Sequence, residues 1–278
     1  MPDLLLRAVN SIPDRADIEI IIVNNGTVAL SDSLFTGRSN IQVLWDAVGK
    51  GAGAARNIGV EHATGKWLVF IDADDYFTED ALEYMDSHLQ DEVDIVFFKV
   101  CCVRSEDGLP ANRHWAFNEL IERYMQTRDE GTLRYEWTSP WGKMTRTQLV
   151  RKHHIHFDET QAANDIIFSL LTGYYAEHIS ADERTLYCVT ERSGSLSATP
   201  SLRNLSDRID VSVRYNRFVK NHQLRRYQKS IMYYLSLIAH HYGLGQAIRV
   251  LWRSVMAGNN PFIGCTRWLQ TTRKNNKQ

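Results

Sequence analysis

The stretch Trp67–Phe77 reads WLVFIDADDYF, five apolar residues running straight into three aspartates. In an extended chain Asp72 and Asp74 point to the same side. Two carboxylates about 4 Å apart repel by roughly 1 kcal/mol in water, and by several times that in a partly buried cleft. A divalent cation removes that penalty. Mg²⁺ and Mn²⁺ take oxygen ligands from one or two carboxylates together with substrate phosphates. The spacing therefore admits a metal–diphosphate site. It also admits a plain turn in which one Asp caps the helix that follows. The apolar run ahead of the acids favours the first reading, because ligands of open α/β sheets bind beyond the carboxyl ends of the strands.

Other stretches offer competing chemistry. GKGAGA (49–54) fits a Gly-x-Gly-x-x-Ala pattern between a strand and a helix, with Asp72 about twenty residues on. That imitates a dinucleotide-binding turn, so an NAD-dependent oxidoreductase is a distant alternative, although one acid rather than DADD should follow. KHHIHFD (152–158) sets His154 and His156 at strand spacing near Asp158; a metal site is one reading, a polar connection the simpler one. Cys101, Cys102, Cys188 and Cys265 form no CxxC pair, so neither zinc nor a disulfide framework is indicated. A reducing cytoplasm is the expected setting.

The elements that must position these residues alternate. IEIIIV (18–23), IQVLW (41–45), KWLVFID (66–72), VDIVFFKV (93–100) and RTLYCVT (184–190) read as short buried strands. GAGAARNIGVEHATG reads as a helix closed near Gly65. Thr78 is the expected N-cap of a helix over EDALEYMDSHLQ. NDIIFSLLTGYYA (164–176) is apolar at helical spacing. This rhythm predicts an α/β fold, Rossmann-like, with a mostly parallel sheet and helices on both faces. Residues 110–160 lose the pattern, and RYEWTSPWGKM is expected as a structured loop over the sheet. After Pro200 the chain turns to Arg-rich amphipathic helices, roughly 205–221, 224–242 and 244–257.

IEIIIVNNGT, GKGAGAARNIGVEHATGKWLVFIDADDYF, SPWGKM and NDIIFS, in that order, resemble glycosyltransferase family 2 across roughly residues 1–198. The block 49–77 is the most specific. The resemblance implies a GT-A fold and transfer of a sugar from a nucleotide-sugar, most simply a UDP-sugar, to a glycan or lipid-linked acceptor. It implies that Asp74 binds a Mn²⁺ or Mg²⁺ bridging the donor diphosphate and that Asp72 contacts the ribose or the metal. Asn24, Asn25, Arg56 and Asn57 are placed beside the nucleotide. Asp165 becomes the general base for the acceptor hydroxyl, and Trp141 and Lys143 line the acceptor side. RSGSLS (192–197) resembles a segment near the end of the catalytic domain. The chemistry needs one base and one cation at the leaving group, with no enzyme nucleophile, which suits an inverting transfer.

Three departures stand out. Asn24 and Asn25 replace the acids the family carries after its second strand, which changes the hydrogen-bonding pattern offered to a base or ribose. Asn164 replaces the Glu of a Glu-Asp pair while Asp165 remains. The family's first strand, central in the sheet, has no counterpart ahead of PDLLLRAVNSIP. Losing a central strand orphans buried backbone groups, at roughly 1–3 kcal/mol each. A chain truncated relative to the family is therefore expected. A non-catalytic sugar-nucleotide-binding remnant is the alternative from a different class.

Charge divides the chain. Residues 201–278 carry 14 Lys and Arg against two acids, a balance of +12, while residues 1–200 carry 18 against 31, a balance of −13. The expected domains are a transferase domain over 1–200 and a basic helical tail over 201–278. Lys, Arg, Trp252 and Trp268 on amphipathic helices suit an anionic membrane surface; a solvated appendage is the plainer reading. No recognisable module favours nucleic acid. No apolar run reaches the ~18 residues of a membrane span, and MPDLLLRAVNSIP is too short and polar for a secretory leader. Peripheral association with the inner face of a membrane, in making surface polysaccharide or glycolipid, is the expected setting.

Overall fold

The computed structural model describes residues 2–46, 49–112, 114–192 and 201–263. Contacts divide the chain into two compact units, one of residues 1–159 and 168–193, the other of 160–167 and 194–278. The short segment 160–167 thus groups with the C-terminal helices rather than with the sheet.

The first unit opens with helix α1, Pro2–Asn10, with proline in the first turn where its missing N–H costs nothing. Strands β1 (Ile20–Asn24) and β2 (Ile41–Trp45) follow. Helix α2 (Ala52–His62) starts after Gly51, whose φ of 100° only glycine adopts readily. Next come β3 (Trp67–Val69), β4 (Tyr76–Phe77), the short helix α3 (Ala81–Asp86) and the long strand β5 (Ile95–Arg104). Helices α4 (Trp115–Thr127) and α5 (Gly131–Glu136) precede β6 (Lys143–Arg146) and α6 (Thr147–Lys152). Helix α7 (Ile166–Tyr175) leads into β7 (Ile179–Glu191).

The α/β class stands, but the strand directions are mixed. β1 and β2 form a parallel pair, and a second sheet runs β3-β6-β5-β7-β4. In that sheet only β5 and β7 are parallel; the β3–β6, β5–β6 and β4–β7 pairings are antiparallel. Ile95–Phe98 are buried on both faces of β5, which is why that run is apolar without alternation. The core gathers on it, with Trp137, Met144 and Tyr187.

Local expectations shift at four places. The strand expected over 66–72 ends at Val69. Thr78 caps nothing: its hydroxyl donates to the Thr185 carbonyl at 2.6 Å, and the helix starts only at Ala81. The loop expected over RYEWTSPWGKM (134–144) ends in β6, wedged between β3 and β5. The helix expected over 224–242 is a turn of 3-10 helix (Arg225–Tyr227) and then α9 (Met232–Tyr242).

In the second unit, Ser201 caps helix α8 (Leu202–Asn221) by accepting from the Asn204 N–H at 3.0 Å. Helices α8, α9 and α10 (Leu244–Met256) pack through Ile209, Val213, Leu235, Ile238 and Val250. Among the described residues no helix is long and apolar enough to cross a membrane.

Candidate active site

The acidic stretch is a turn, not a continued strand. The Asp75 N–H donates to the Asp72 carbonyl at 2.9 Å, so Asp72 and Asp74 do not sit on one side of an extended chain. Each carboxylate has its own guanidinium. Arg56 of α2 donates through Nη2 to Asp72 Oδ1 at 2.6 Å, and Arg192, just after β7, donates to Asp74 Oδ2 at 2.6 Å. Repulsion between the acids is thus offset by two cations in partly buried surroundings.

The third aspartate anchors the turn. Asp75 is 3 % exposed. Its Oδ1 accepts from the Thr190 N–H and its Oδ2 from the Tyr187 hydroxyl, both at 2.6 Å. Burial raises its pKa to about 7, against those hydrogen bonds and with help from Asp72 and Asp74. The Tyr187 hydroxyl also accepts from the Asp72 N–H at 3.0 Å. Burial, then the nearby Asp72 and Asp75 charges, push that phenol well above its usual range. Arg7 of α1 completes the support. Its Nη2 donates to the Asp74 carbonyl and to Thr190 Oγ1, both at 2.6 Å, with the guanidinium 4.5 Å over the Tyr76 ring.

The other sequence candidates are distributed. Asn24 closes a local turn, donating to the Val28 carbonyl at 2.7 Å and accepting from the Gly26 N–H at 3.0 Å. Asn25, Arg56, Asp72 and Ala73 line one cavity of about 320 Å³. Asn57 was expected beside the nucleotide; its amide instead clamps the Phe157 backbone in both directions, at 3.0 and 2.7 Å. Trp141 and Lys143 are buried rather than presented to an acceptor. Trp141 stacks on Tyr187 with centroids 5.4 Å apart, and Lys143, 1 % exposed, donates to Ser169 Oγ at 3.3 Å. Asp165 belongs to the segment 160–167 and immediately precedes α7, and the neighbouring Asn164 donates to the Thr160 carbonyl at 3.4 Å. Residues 193–197 of RSGSLS, and Trp268, lie outside the described residues. Among the described residues no group of three or more His, Cys, Asp or Glu forms a metal cage, so His154, His156 and Asp158 are not gathered into one.

Arg7, Asp75, Tyr187 and Thr190 were not singled out from sequence. Only Asp75 carried a signal, as the last acid of DADD; the others reach the turn from 67 to 115 residues away.

The acidic turn thus lies beyond a sheet strand of an α/β fold, with arginines reaching it from the helix before that strand and from a distant strand end. The profile of glycosyl transferase family 2 matches residues 2–159. The chain belongs to glycosyltransferase family 2 and is a glycosyltransferase of the GT-A fold. That membership sets aside the oxidoreductase alternative.

The chain is 29% identical over 259 residues to the uncharacterized glycosyltransferase EpsJ of Bacillus subtilis, covering 89% of this chain and 67% of the relative. It is 28% identical over 153 residues to the poly(ribitol-phosphate) beta-N-acetylglucosaminyltransferase TarS of Staphylococcus aureus, covering 52% of this chain and 24% of TarS. It thus spans about two thirds of one relative and a quarter of the other. Among solved structures, S. aureus TarS 1-349 in complex with UDP-GlcNAc superposes with a TM-score of 0.68 at 20% identity, over 91% of this chain and 77% of that one. The mannosyltransferase PcManGT from Pyrobaculum calidifontis, in complex with GDP-Man and Mn²⁺, superposes with a TM-score of 0.50 at 15% identity, over 100% of this chain and 78% of that one.

Proposed function

We propose that the chain transfers a sugar from a nucleoside-diphosphate sugar, most simply a UDP-sugar, to a hydroxyl of a glycan or lipid-linked acceptor with inversion. The observation that carries this reading is the turn itself: Asp72 and Asp74 beyond β3, each held by a guanidinium that suits a diphosphate equally well. The nucleotide-sugars in the two similar structures support the donor class.

The residues present fit a divalent cation. Asp74 and Asp72 supply hard carboxylate oxygens, and donor phosphates would complete the shell, since no all-protein cage forms among the described residues. Asp74, with Asp72, would hold Mn²⁺ or Mg²⁺, which supplies charge stabilisation to the leaving diphosphate. Arg56 and Arg192 then exchange carboxylate for phosphate oxygens. Asn25 faces the nucleotide. Asp165 takes the proton of the acceptor hydroxyl as its oxygen bonds to the anomeric carbon; the anomeric C–O bond breaks and its electron pair leaves with the nucleoside diphosphate. Trp141 acts through Tyr187 on the turn, and Lys143 fixes the sheet beneath.

The same reading places the enzyme at the inner face of a membrane, in surface polysaccharide or glycolipid synthesis. What supports it is α10. Its inner face packs through Ala247, Val250 and Ser254, yet Leu244, Ile248, Trp252 and Met256 form a second apolar stripe, 63–72 % exposed. Arg249 and Arg253 flank that stripe at helical spacing.

Transfer and hydrolysis of UDP- and GDP-sugars with Mn²⁺ test the assignment. Asp74→Asn is expected to weaken donor binding about tenfold or more. Asp165→Asn is expected to leave donor binding near normal and abolish transfer. Equal, modest effects from both would overturn the roles.

A further inference from the structure

The second unit holds positive charge that its own acids do not answer. Residues 201–278 carry 14 Lys and Arg against two acids, Asp207 and Asp210. Both acids are committed elsewhere. Asp210 accepts from the Arg253 guanidinium with each oxygen at 2.9 Å, and Asp207 Oδ2 accepts from the Gln161 N–H at 3.1 Å. Arg217 and Lys220 lie about 10 and 15 Å beyond Asp210 along α8, a separation at which salt screens most of the attraction. These two and Arg225 border one cavity of about 380 Å³, where α8 ends beside the chain that leaves α10. Among the described residues no carboxylate lines it. Arg217, Lys220 and Asn221 share one face of α8, being three and four positions apart. Arg217 Nη2 donates to the Ala257 carbonyl at 2.7 Å, which fixes the guanidinium at the wall and leaves the rest of its donor fork.

The polar wall has a fixed orientation. Gly258 has φ of 83°, and the Gly258 and Asn259 N–H groups return to the Val255 and Ser254 carbonyls at 2.8 and 3.1 Å. That closes α10 and sets Asn259, 7 % exposed, into the wall of the cavity. Asn216 beside it is fully used. Its Oδ1 accepts from the Lys229 N–H at 2.6 Å; its Nδ2 donates to the Lys229 carbonyl at 2.8 Å and to Asn259 Oδ1 at 3.0 Å. These bonds decide which way the Asn259 amide points. Its oxygen meets Asn216, and its Nδ2 is a buried donor with no hydrogen-bond partner among the described residues. A buried N–H without an acceptor is costly, and an oxyanion in the cavity would satisfy it. Helix ends offer a competing account of the cations. The C-termini of α8 and α10 each carry about half a negative charge, which attracts Lys and Arg without any ligand. Two half charges answer one of the three cations, and they leave the Asn259 donor unexplained.

We propose that this cavity binds the phosphate group of a phosphate ester, with Arg217, Lys220 and Arg225 supplying charge and Asn259 Nδ2 a directed N–H. Guanidinium forks and an ammonium together suit phosphate oxygens. A cavity of this volume takes one small ester group, whereas a nucleic acid needs a row of cations along a groove. Two sources carry the same chemistry, a soluble phosphoester and the headgroup of an anionic lipid. Only the lipid source rests on the membrane reading of the proposed function; phosphate binding itself does not.

Nuclear magnetic resonance on the 278-residue chain reads the site directly. Glycerol phosphate, added at constant ionic strength, is expected to shift the Asn259 side-chain amide and the Gly258 backbone amide with a saturating dose response; chloride at the same strength is expected to shift neither. Lys220→Gln with Arg225→Gln, both at exposed positions, is expected to weaken that binding about tenfold or more with Tm nearly unchanged. Asn259→Asp, of the same size with a repelling charge, is expected to remove the Gly258 shift. Shifts absent from the parent chain, or undiminished in either variant, would overturn the proposal. Flotation with phosphatidylglycerol vesicles then separates the sources. Stronger flotation of the parent than of the double variant assigns a lipid headgroup. Equal flotation, with glycerol phosphate still bound by the parent, assigns a soluble phosphoester. Ile248→Glu with Trp252→Glu is expected to abolish flotation and keep the Asn259 shift, so a failure of the membrane reading stays distinct from a failure of this site.

Discussion

The Tyr187 hydroxyl lies 2.6 Å from Asp75 Oδ2 and 3.0 Å from the Asp72 nitrogen, so one phenol on β7 fixes both ends of the acidic turn. The turn is thereby set from a strand more than a hundred residues away. Tyr187→Phe keeps the ring stacked on Trp141 and deletes both bonds. A buried carboxylate and a buried N–H each lose a partner, at about 1–3 kcal/mol per group. Urea denaturation should show that loss, and kcat/KM should fall with it because Asp72 is no longer held. Unchanged stability would mean the hydroxyl carries neither bond.

Asp75 makes stability depend on pH. Its folded pKa, raised by burial to about 7, lies above the ~4 of an unfolded Asp. Between those values the folded state holds a proton that the unfolded state has released. Stability from this group is complete below about pH 4 and is lost as pH rises through 7, by up to about 1.4 kcal/mol per unit. Asp75→Asn preserves the side chain's size and an acceptor for the Thr190 N–H. Its denaturation curves at pH 5 and 7.5 should lie closer together than those of the parent. An undiminished gap would assign the dependence to another group.

How much of this was legible in the sequence follows from the range of the interactions. β5 announced itself because burial on both faces writes a continuous apolar run, Ile95–Phe98, into the chain. β6 did not. Its four residues KMTR include two basic side chains and one polar one, and it is a strand only because β3 and β5 both pair with it. The two-residue β4 is likewise made by its register with Tyr187 and Cys188. The acids of the site were legible as a cluster, and Arg56 through its motif. Their division of labour was not. Asp75 is the buried anchor because Thr190 and Tyr187 come to it, and Arg192 neutralises Asp74 across 118 positions; no local pattern encodes either pairing. Asn57 shows the converse, a motif residue whose amide is committed to the Phe157 backbone.

Arg192 and Arg56 hold the carboxylates in the free enzyme and meet the diphosphate in the proposed complex. Arg192→Gln removes a charge-assisted bond to the donor, worth roughly 1.5–3 kcal/mol. Nucleotide affinity by calorimetry should fall about tenfold or more, with a larger effect on UDP than on uridine. Equal losses for UDP and uridine would place Arg192 away from the phosphates. Arg56→Gln should act in the same direction.

Gly173 packs α7 against α5 at a distance no side chain tolerates. A Cβ there would lie 2.1 Å from the Arg134 carbonyl oxygen, a backbone atom that cannot swing aside. The Arg134 guanidinium in turn donates to the Gly173 carbonyl at 2.9 Å and the Ala176 carbonyl at 2.6 Å. Gly173→Ala must separate the helices and strain those bonds, at about 3 kcal/mol or more by the measure of overpacked cores. A marked drop in Tm and soluble yield is expected. Gly245, with open space around it in α10, should accept Ala without loss.

The outer stripe of α10 gives the membrane reading its own test. Ile248 and Trp252 are exposed, so charging them removes apolar area available to an interface without opening the core. Ile248→Glu with Trp252→Glu should leave Tm nearly unchanged, since the helix packs inward through Ala247, Val250 and Ser254. Flotation with vesicles containing phosphatidylserine should show the parent chain bound at low salt and released in part at high salt, as screening weakens the basic contribution. The double variant should remain unbound at both. A parent chain that ignores such vesicles at low salt would remove the membrane from the proposed function and leave the transferase chemistry of the acidic turn untouched.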